Sequence, residues 1–178
     1  MARSNKLMDM LVGYAAAHQH PVNVAAHFIG IPAIMLGMFI PMTWLEFQFA
    51  GFSINLAQLG AVGFFLFYLT LDALFAVVFL VGALLVAEAA YVLGGYPLST
   101  ASTMAAVGFF GGYALQFAGH AVEKSMPVLV KHPIQANIAA PFFVIVEVFG
   151  LLGLRKQLFE DVNQALAERR VEEAGAAT

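Results

Sequence analysis

The chain has 178 residues, of which 61% are hydrophobic and only 11% charged, with a formal net charge of −3. A water-soluble domain carries about a quarter of its residues charged, so this composition excludes an ordinary soluble protein; without a basic patch interleaved with aromatics it also excludes a nucleic-acid binder. Cysteine is absent, which removes disulfides, thiolate ligands and a cysteine nucleophile.

Between Met8 and Glu123 the only formal charges are Asp9, Glu46, Asp72 and Glu88. A bilayer-spanning helix needs about 20 mostly apolar residues, and several such stretches follow one another. The expected fold is therefore all-α: a polytopic membrane helical bundle forming a single integral-membrane domain over residues 1–178. Residues 5–18 predict a short interfacial helix. Asp9 interrupts its apolar stretch and histidines stand where a small-residue cleavage site would be, so it is not a signal peptide. Pro21 suits the first turn of a new helix, with His20 beside the cap position. That helix runs through His27 into the first crossing, about 24–42, with a kink expected at Pro32. Pro41, Trp44 and Glu46 mark its exit at the opposite interface.

Residues 56–93 are too long for one crossing and suffice for two, with the connection placed at Tyr68 to Asp72. Asp72 is expected to be solvated at that turn, and Glu88 to be buried or hydrogen-bonded between helices. Gly94, Gly95 and Pro97 form the next turn, where Ser99 or Thr100 offers a cap. Residues 101–119 make the fourth crossing, ending at His120. Residues 134–154 are apolar again, and Arg155 opens an amphipathic tail over 155–178, leaving the membrane bundle at 21–154. Arg3 and Lys6 favour a cytoplasmic N-terminus. Four crossings return the chain to that side, where Lys124 and Lys131 agree. A fifth crossing would carry Arg155 and Lys156 outside, so 134–154 reads as a re-entrant or interfacial segment.

All five histidines then fall near one face. His18, His20 and His27 lie within ten residues of one another, and His120 and His132 follow in the second polar stretch. At about 100° per residue, His20, Asn23 and His27 share one helix face, as do Tyr113, Gln116, His120 and Glu123. His18 could fold back over His27 because the chain breaks before Pro21. Neutral imidazoles ligate zinc, copper and iron, and need a partner on the second nitrogen; Asn23, Gln116 and Glu123 are suitable. The plain alternative is a set of histidines facing headgroups. Polar groups within a membrane are functional suspects by default, and their gathering at one face favours a metal site. Glu147 is a further candidate to support it.

Tyr14, His18, Pro21-Val22-Asn23, His27 and Gly30-Ile31-Pro32 resemble the opening blocks of the Mpo1-like family of membrane proteins. The resemblance continues through Gln116-Phe117, Gly119-His120, Glu123, Pro127, Gln135, Ala140-Pro141-Phe142-Phe143 and Glu147, covering about 14–153. It implies an Fe(II)-dependent dioxygenase that uses O2 to shorten 2-hydroxy long-chain fatty acids by one carbon, in fatty acid α-oxidation. His18, His27 and His120 would be the metal ligands, with Glu123, Asn23 and Gln116 supporting catalysis. His20 and His132, which stand where relatives often have other residues, form a second tier. Glu123 departs from the family spacing by one residue. Lys124 or Lys131 would attract the substrate carboxylate. The expected setting is a bacterial inner membrane, or the endoplasmic reticulum in a eukaryote, with the histidines near the cytoplasmic face; a homo-oligomer is compatible with this. The competing classes are a non-enzymatic membrane protein that binds or transports a metal or lipid, and a zinc-dependent membrane hydrolase.

Overall fold

The computed structural model describes residues 2–131 and 133–176. In chain order they form α1 (Ala2–Ala17), α2 (Pro21–Thr43), a hairpin of β1 (Glu46–Phe49) and β2 (Phe52–Asn55), α3 (Leu56–Tyr68), α4 (Ala73–Gly94), α5 (Leu98–Glu123), α6 (Val128–Lys131), α7 (Pro133–Leu151) and α8 (Lys156–Ala176). The protein is an all-α membrane helical bundle. By length and composition α2, α4 and α7 can each cross a membrane. Large apolar side chains such as Ile29, Val81, Leu85, Val107 and Phe110 point outward, as lipid contact requires.

Local chemistry sets most boundaries. Pro21 opens α2 and the His20 ring accepts from the Val22 N–H at 3.2 Å. Asn55 and Gln58 form a reciprocal capping box at the start of α3. Asp72 caps α4 by accepting from the Leu74 and Phe75 N–H groups, at 3.0 and 3.1 Å. The same carboxylate pairs with Arg155 at 2.6 Å and is 14% exposed. Asp72 is thus a cap and an ion-pair partner, not the solvated turn residue expected. Glu88, expected to be buried or paired between helices, is exposed on α4. Helix α5 opens at Leu98 behind Pro97 with no side-chain cap, so Ser99 and Thr100 lie inside it. The hairpin was not anticipated: Ala50 and Gly51 both take positive φ, 47° and 90°, which is the two-residue turn that matches strand twist.

Helices α2 and α5 touch backbone to backbone along a row of small residues. A Cβ built at Gly30 would stand 2.8 Å from the Gly112 carbonyl oxygen, and one at Gly112 2.6 Å from that of Gly30. The row continues from Gly37 against Gly108 to Asn23 against Gly119. In a membrane, where lipid tails are as apolar as leucine, such close approach is what drives helices together.

Among the described residues, the side-chain contacts of α7 gather toward one end of this bundle. The far end of α4 is fixed by Trp44, whose indole donates to the Gly94 carbonyl at 3.1 Å. The partners of α7 lie at the opposite end. The Tyr68 hydroxyl donates to the Ile138 carbonyl at 2.5 Å, and the Phe75 ring packs edge-on against Phe142 and Phe149 at 5.7 and 5.0 Å. With Leu7, Leu11 and Val12 of α1, these aromatics form one continuous core. By apolar length α7 can cross, and its aromatic contacts lie in the same core as residues of α1 and α8.

Candidate metal centre

The same end of the bundle holds the histidines. His18 sits in the short break between α1 and α2, His27 two turns into α2, and His120 at the end of α5. One ligand nitrogen from each lies within 4.8 Å of the other two. The ring centroids of His18 and His27 are 4.5 Å apart, and His120 is 5.1 Å from both. His27 and His120 are only 5% and 4% exposed. The glycine contacts between α2 and α5 make this meeting of His27 and His120 sterically feasible.

The hydrogen bonds of these rings specify their chemistry. His18 Nδ1 lies 3.1 Å from the Tyr14 carbonyl, and His27 Nδ1 lies 2.9 Å from the Asn23 carbonyl. A carbonyl can only accept, so each Nδ1 carries the proton and each Nε2 presents a lone pair. The two Nε2 atoms face each other at 3.2 Å. A proton between them would require an imidazolium, but burial first, and the adjacent His27 second, push His18 down to about 4. At neutral pH two lone pairs therefore converge with no proton to share. A cation is what such a pair fits. His120 Nδ1 pairs with the Ser125 hydroxyl at 2.9 Å. No thiolate is available in the chain, and three neutral imidazoles suit borderline metals such as iron(II) or zinc.

A layer of supporting groups holds the cluster. The His18 ring stacks on Tyr14 at 4.0 Å, and Tyr14 stacks on Phe143 of α7 at 4.0 Å. Glu123 accepts from the Gln19 N–H at 2.7 Å, the His20 N–H at 3.2 Å and the Asn23 side-chain amide. It thereby straps the loop bearing His18 to the end of α5, and it is not one of the three clustered ligand groups. Asn23 is fully buried, its Nδ2 stands 3.5 Å from His120 Nδ1, and its Oδ1 has no partner. Flipping the amide would aim that oxygen at the Glu123 carboxylate, which is worse.

The other sequence candidates fall elsewhere. His20 is exposed and caps α2. His132 lies outside the described residues. Gln116 packs by Gly30 and lines a cavity instead of meeting a histidine. Lys124 and Lys131 are exposed and do not line that cavity. Glu147 is half-buried and belongs to neither the cluster nor the cavity wall. Sequence reasoning missed Ser125, the Tyr14–Phe143 stack and Asn137, which accepts from the Tyr113 hydroxyl. A signal existed for the first carbonyl partner: Tyr14 precedes His18 by one helical turn.

The cavity has a volume of about 960 Å³ and begins at the three histidines. Asp9, Tyr113, Gln116, Gln135 and Asn137 stand among its walls, and the rest of the lining is mainly aromatic, methionine and aliphatic.

The sequence model of the Mpo1-like family, described as "2-hydroxy-palmitic acid dioxygenase Mpo1-like", matches residues 4–152. The chain belongs to the Mpo1-like family. Among curated Mpo1-like relatives, the 2-hydroxy-palmitic acid dioxygenase MPO1 of Saccharomyces cerevisiae is 27% identical over 154 residues, covering 85% of this chain and 84% of the yeast protein. No solved structure matches. The Mpo1-like match includes all three clustered histidines and ends before α8.

Proposed function

We propose that the protein is an Fe(II)-dependent dioxygenase that converts a 2-hydroxy fatty acid into the acid one carbon shorter. The observation that carries this reading is the convergence of three neutral imidazoles in the wall of a largely apolar cavity. The family description and the name of the yeast relative supply the substrate class.

The reaction balances without a further reductant. One 2-hydroxy acid and one O2 give the shortened carboxylic acid, CO2 and water. The C1–C2 bond breaks, C2 rises from alcohol to carboxyl level, C1 leaves as CO2, and the four electrons released reduce O2. Bound Fe(II) would supply O2 activation and a Lewis-acidic anchor for the substrate's polar end, which no side chain provides. His18, His27 and His120 would hold it, with their Nδ1 partners fixing tautomer and ring orientation. The cavity would take the acyl tail, each buried methylene contributing about 0.8 kcal/mol. Gln116 and Tyr113 offer hydrogen bonds near the head, and the aromatic walls keep water from it. In this reading the histidine end lies at the cytoplasmic face.

An all-histidine donor set also suits zinc, so the test must separate the two chemistries. Purified protein reconstituted with Fe(II) is given 2-hydroxypalmitate in an oxygen electrode, with products read by mass spectrometry. Oxygen consumption matched by the one-carbon-shorter acid supports the dioxygenase. Turnover of an ester by the zinc form, with no oxygen uptake by the iron form, would replace it with a hydrolase.

A further inference from the structure

The cavity extends well past its polar end. Along α2 its wall passes from His27 through Ile31, Met35 and Met38 to Met42. At 1.5 Å per residue, the fifteen positions from His27 to Met42 span about 22 Å. Across from Met42 stands Gly60 of α3, also in the wall. A Cβ built at Gly60 would meet the Met42 terminal methyl at 3.2 Å. Met42 and Gly60 thus stand opposite each other at the stretch of wall farthest along α2 from His27: a flexible methionine and a position with no side chain. Phe39 and Phe79, 2% and 3% exposed, flank the route. This run of wall is longer than the roughly 15 Å that one leaflet of a bilayer's hydrocarbon core provides, long enough to accompany a long acyl tail.

We infer that Met42 and Gly60 form the end-stop of this cavity and set the longest acyl chain it accepts. Bonds of about 1.5 Å at tetrahedral angles advance an extended chain by about 1.3 Å per carbon, so 22 Å takes about 17 carbons. The missing side chain at Gly60 leaves the last turn open, and methionine, with three rotatable bonds, adjusts to the terminal methyl. The identity of the head group rests on the dioxygenase reading; the length limit does not.

The test is binding, which needs no turnover. Full-length protein in lipid nanodiscs is titrated with straight-chain 2-hydroxy acids from decanoic to eicosanoic acid by isothermal calorimetry. Wild type binds progressively more tightly up to palmitic or stearic length and gains nothing beyond. Gly60→Leu places its side chain against a mobile methyl, so the helix tolerates it. It should weaken the stearic-length acid at least about tenfold, equivalent to roughly two methylenes left unburied, while leaving the decanoic-length acid unchanged. Met42→Ala should move the limit the other way, towards eicosanoic acid. Circular dichroism confirms that both variants keep their helices. If the length profile of both folded variants matches wild type, or if wild type binds without regard to length, the end-stop is overturned. Length-dependent binding without oxygen consumption would leave the end-stop standing and remove the dioxygenase.

Discussion

His18 and His27 each commit Nδ1 to a backbone carbonyl, and it is this commitment that leaves their Nε2 lone pairs 3.2 Å apart. The Glu123 carboxylate fixes the loop carrying His18 through the Gln19 and His20 N–H groups. Loss of a group that orients a ligand typically weakens metal binding by about 10- to 100-fold. Glu123→Ala should fall in that range in a competition titration against a chelator, and Glu123→Gln, which keeps one acceptor oxygen, should lose less. Equal affinity in Glu123→Ala and wild type would mean that the strap does not position His18. The histidine types and their gathering at one end were legible in the sequence. The choice of His18 over His20 was not readable from helical spacing, because His20 has the better spacing with His27. What decides it is the chain break: His20 turns its ring back to cap α2, and His18 is left to stack on Tyr14 and face inward.

At the scale of elements, the pairing of α2 with α5 is what brings His27 and His120 within reach. Gly112 lies at the closest point, where a Cβ would stand 2.6 Å from the Gly30 carbonyl oxygen and 3.0 Å from the Ile34 nitrogen. Overpacking of a tight contact costs about 1–3 kcal/mol. Gly112→Leu should lower the thermal transition accordingly and release bound metal at lower chelator concentration. Gly111 has nothing within 4 Å of a built Cβ, so Gly111→Ala should be neutral or stabilising, by up to about 1 kcal/mol from helix propensity. Matching losses in the two variants would argue against the small-residue row as the organising contact. Composition and turn residues sufficed to place the helical segments α1 through α5, including the turn between α3 and α4 at Asp72, but α3 has 13 residues, too short for the full crossing expected there. They did not reveal the hairpin, since four-residue strands carry too little periodicity. Nor did they reveal the Arg155–Asp72 pair, which joins residues 83 apart in sequence.

For the whole molecule, the position of α7 decides the arrangement. Its apolar length permits a crossing, and its contacts with Tyr14, Tyr68, Phe75 and Tyr113 lie toward the histidine half of the bundle. Parity of basic residues in the sequence favours a segment that does not cross, because a crossing would separate Arg155 and Lys156 from Arg3 and Lys6. The absence of cysteine makes the topology measurable with single-cysteine variants. In oriented vesicles, Lys156→Cys and Gly51→Cys should react with an impermeant thiol reagent from opposite sides; labelling from the same side would mean that α7 crosses. The claim on which everything else depends is that one chain holds one metal ion through His18, His27 and His120. Metal analysis of anaerobically purified, iron-loaded protein measures it directly. Wild type and His20→Ala should each retain about one equivalent of iron, a single three-ligand site per chain, and His120→Ala should retain little. Equal iron in wild type and His120→Ala, or none in wild type, would contradict it.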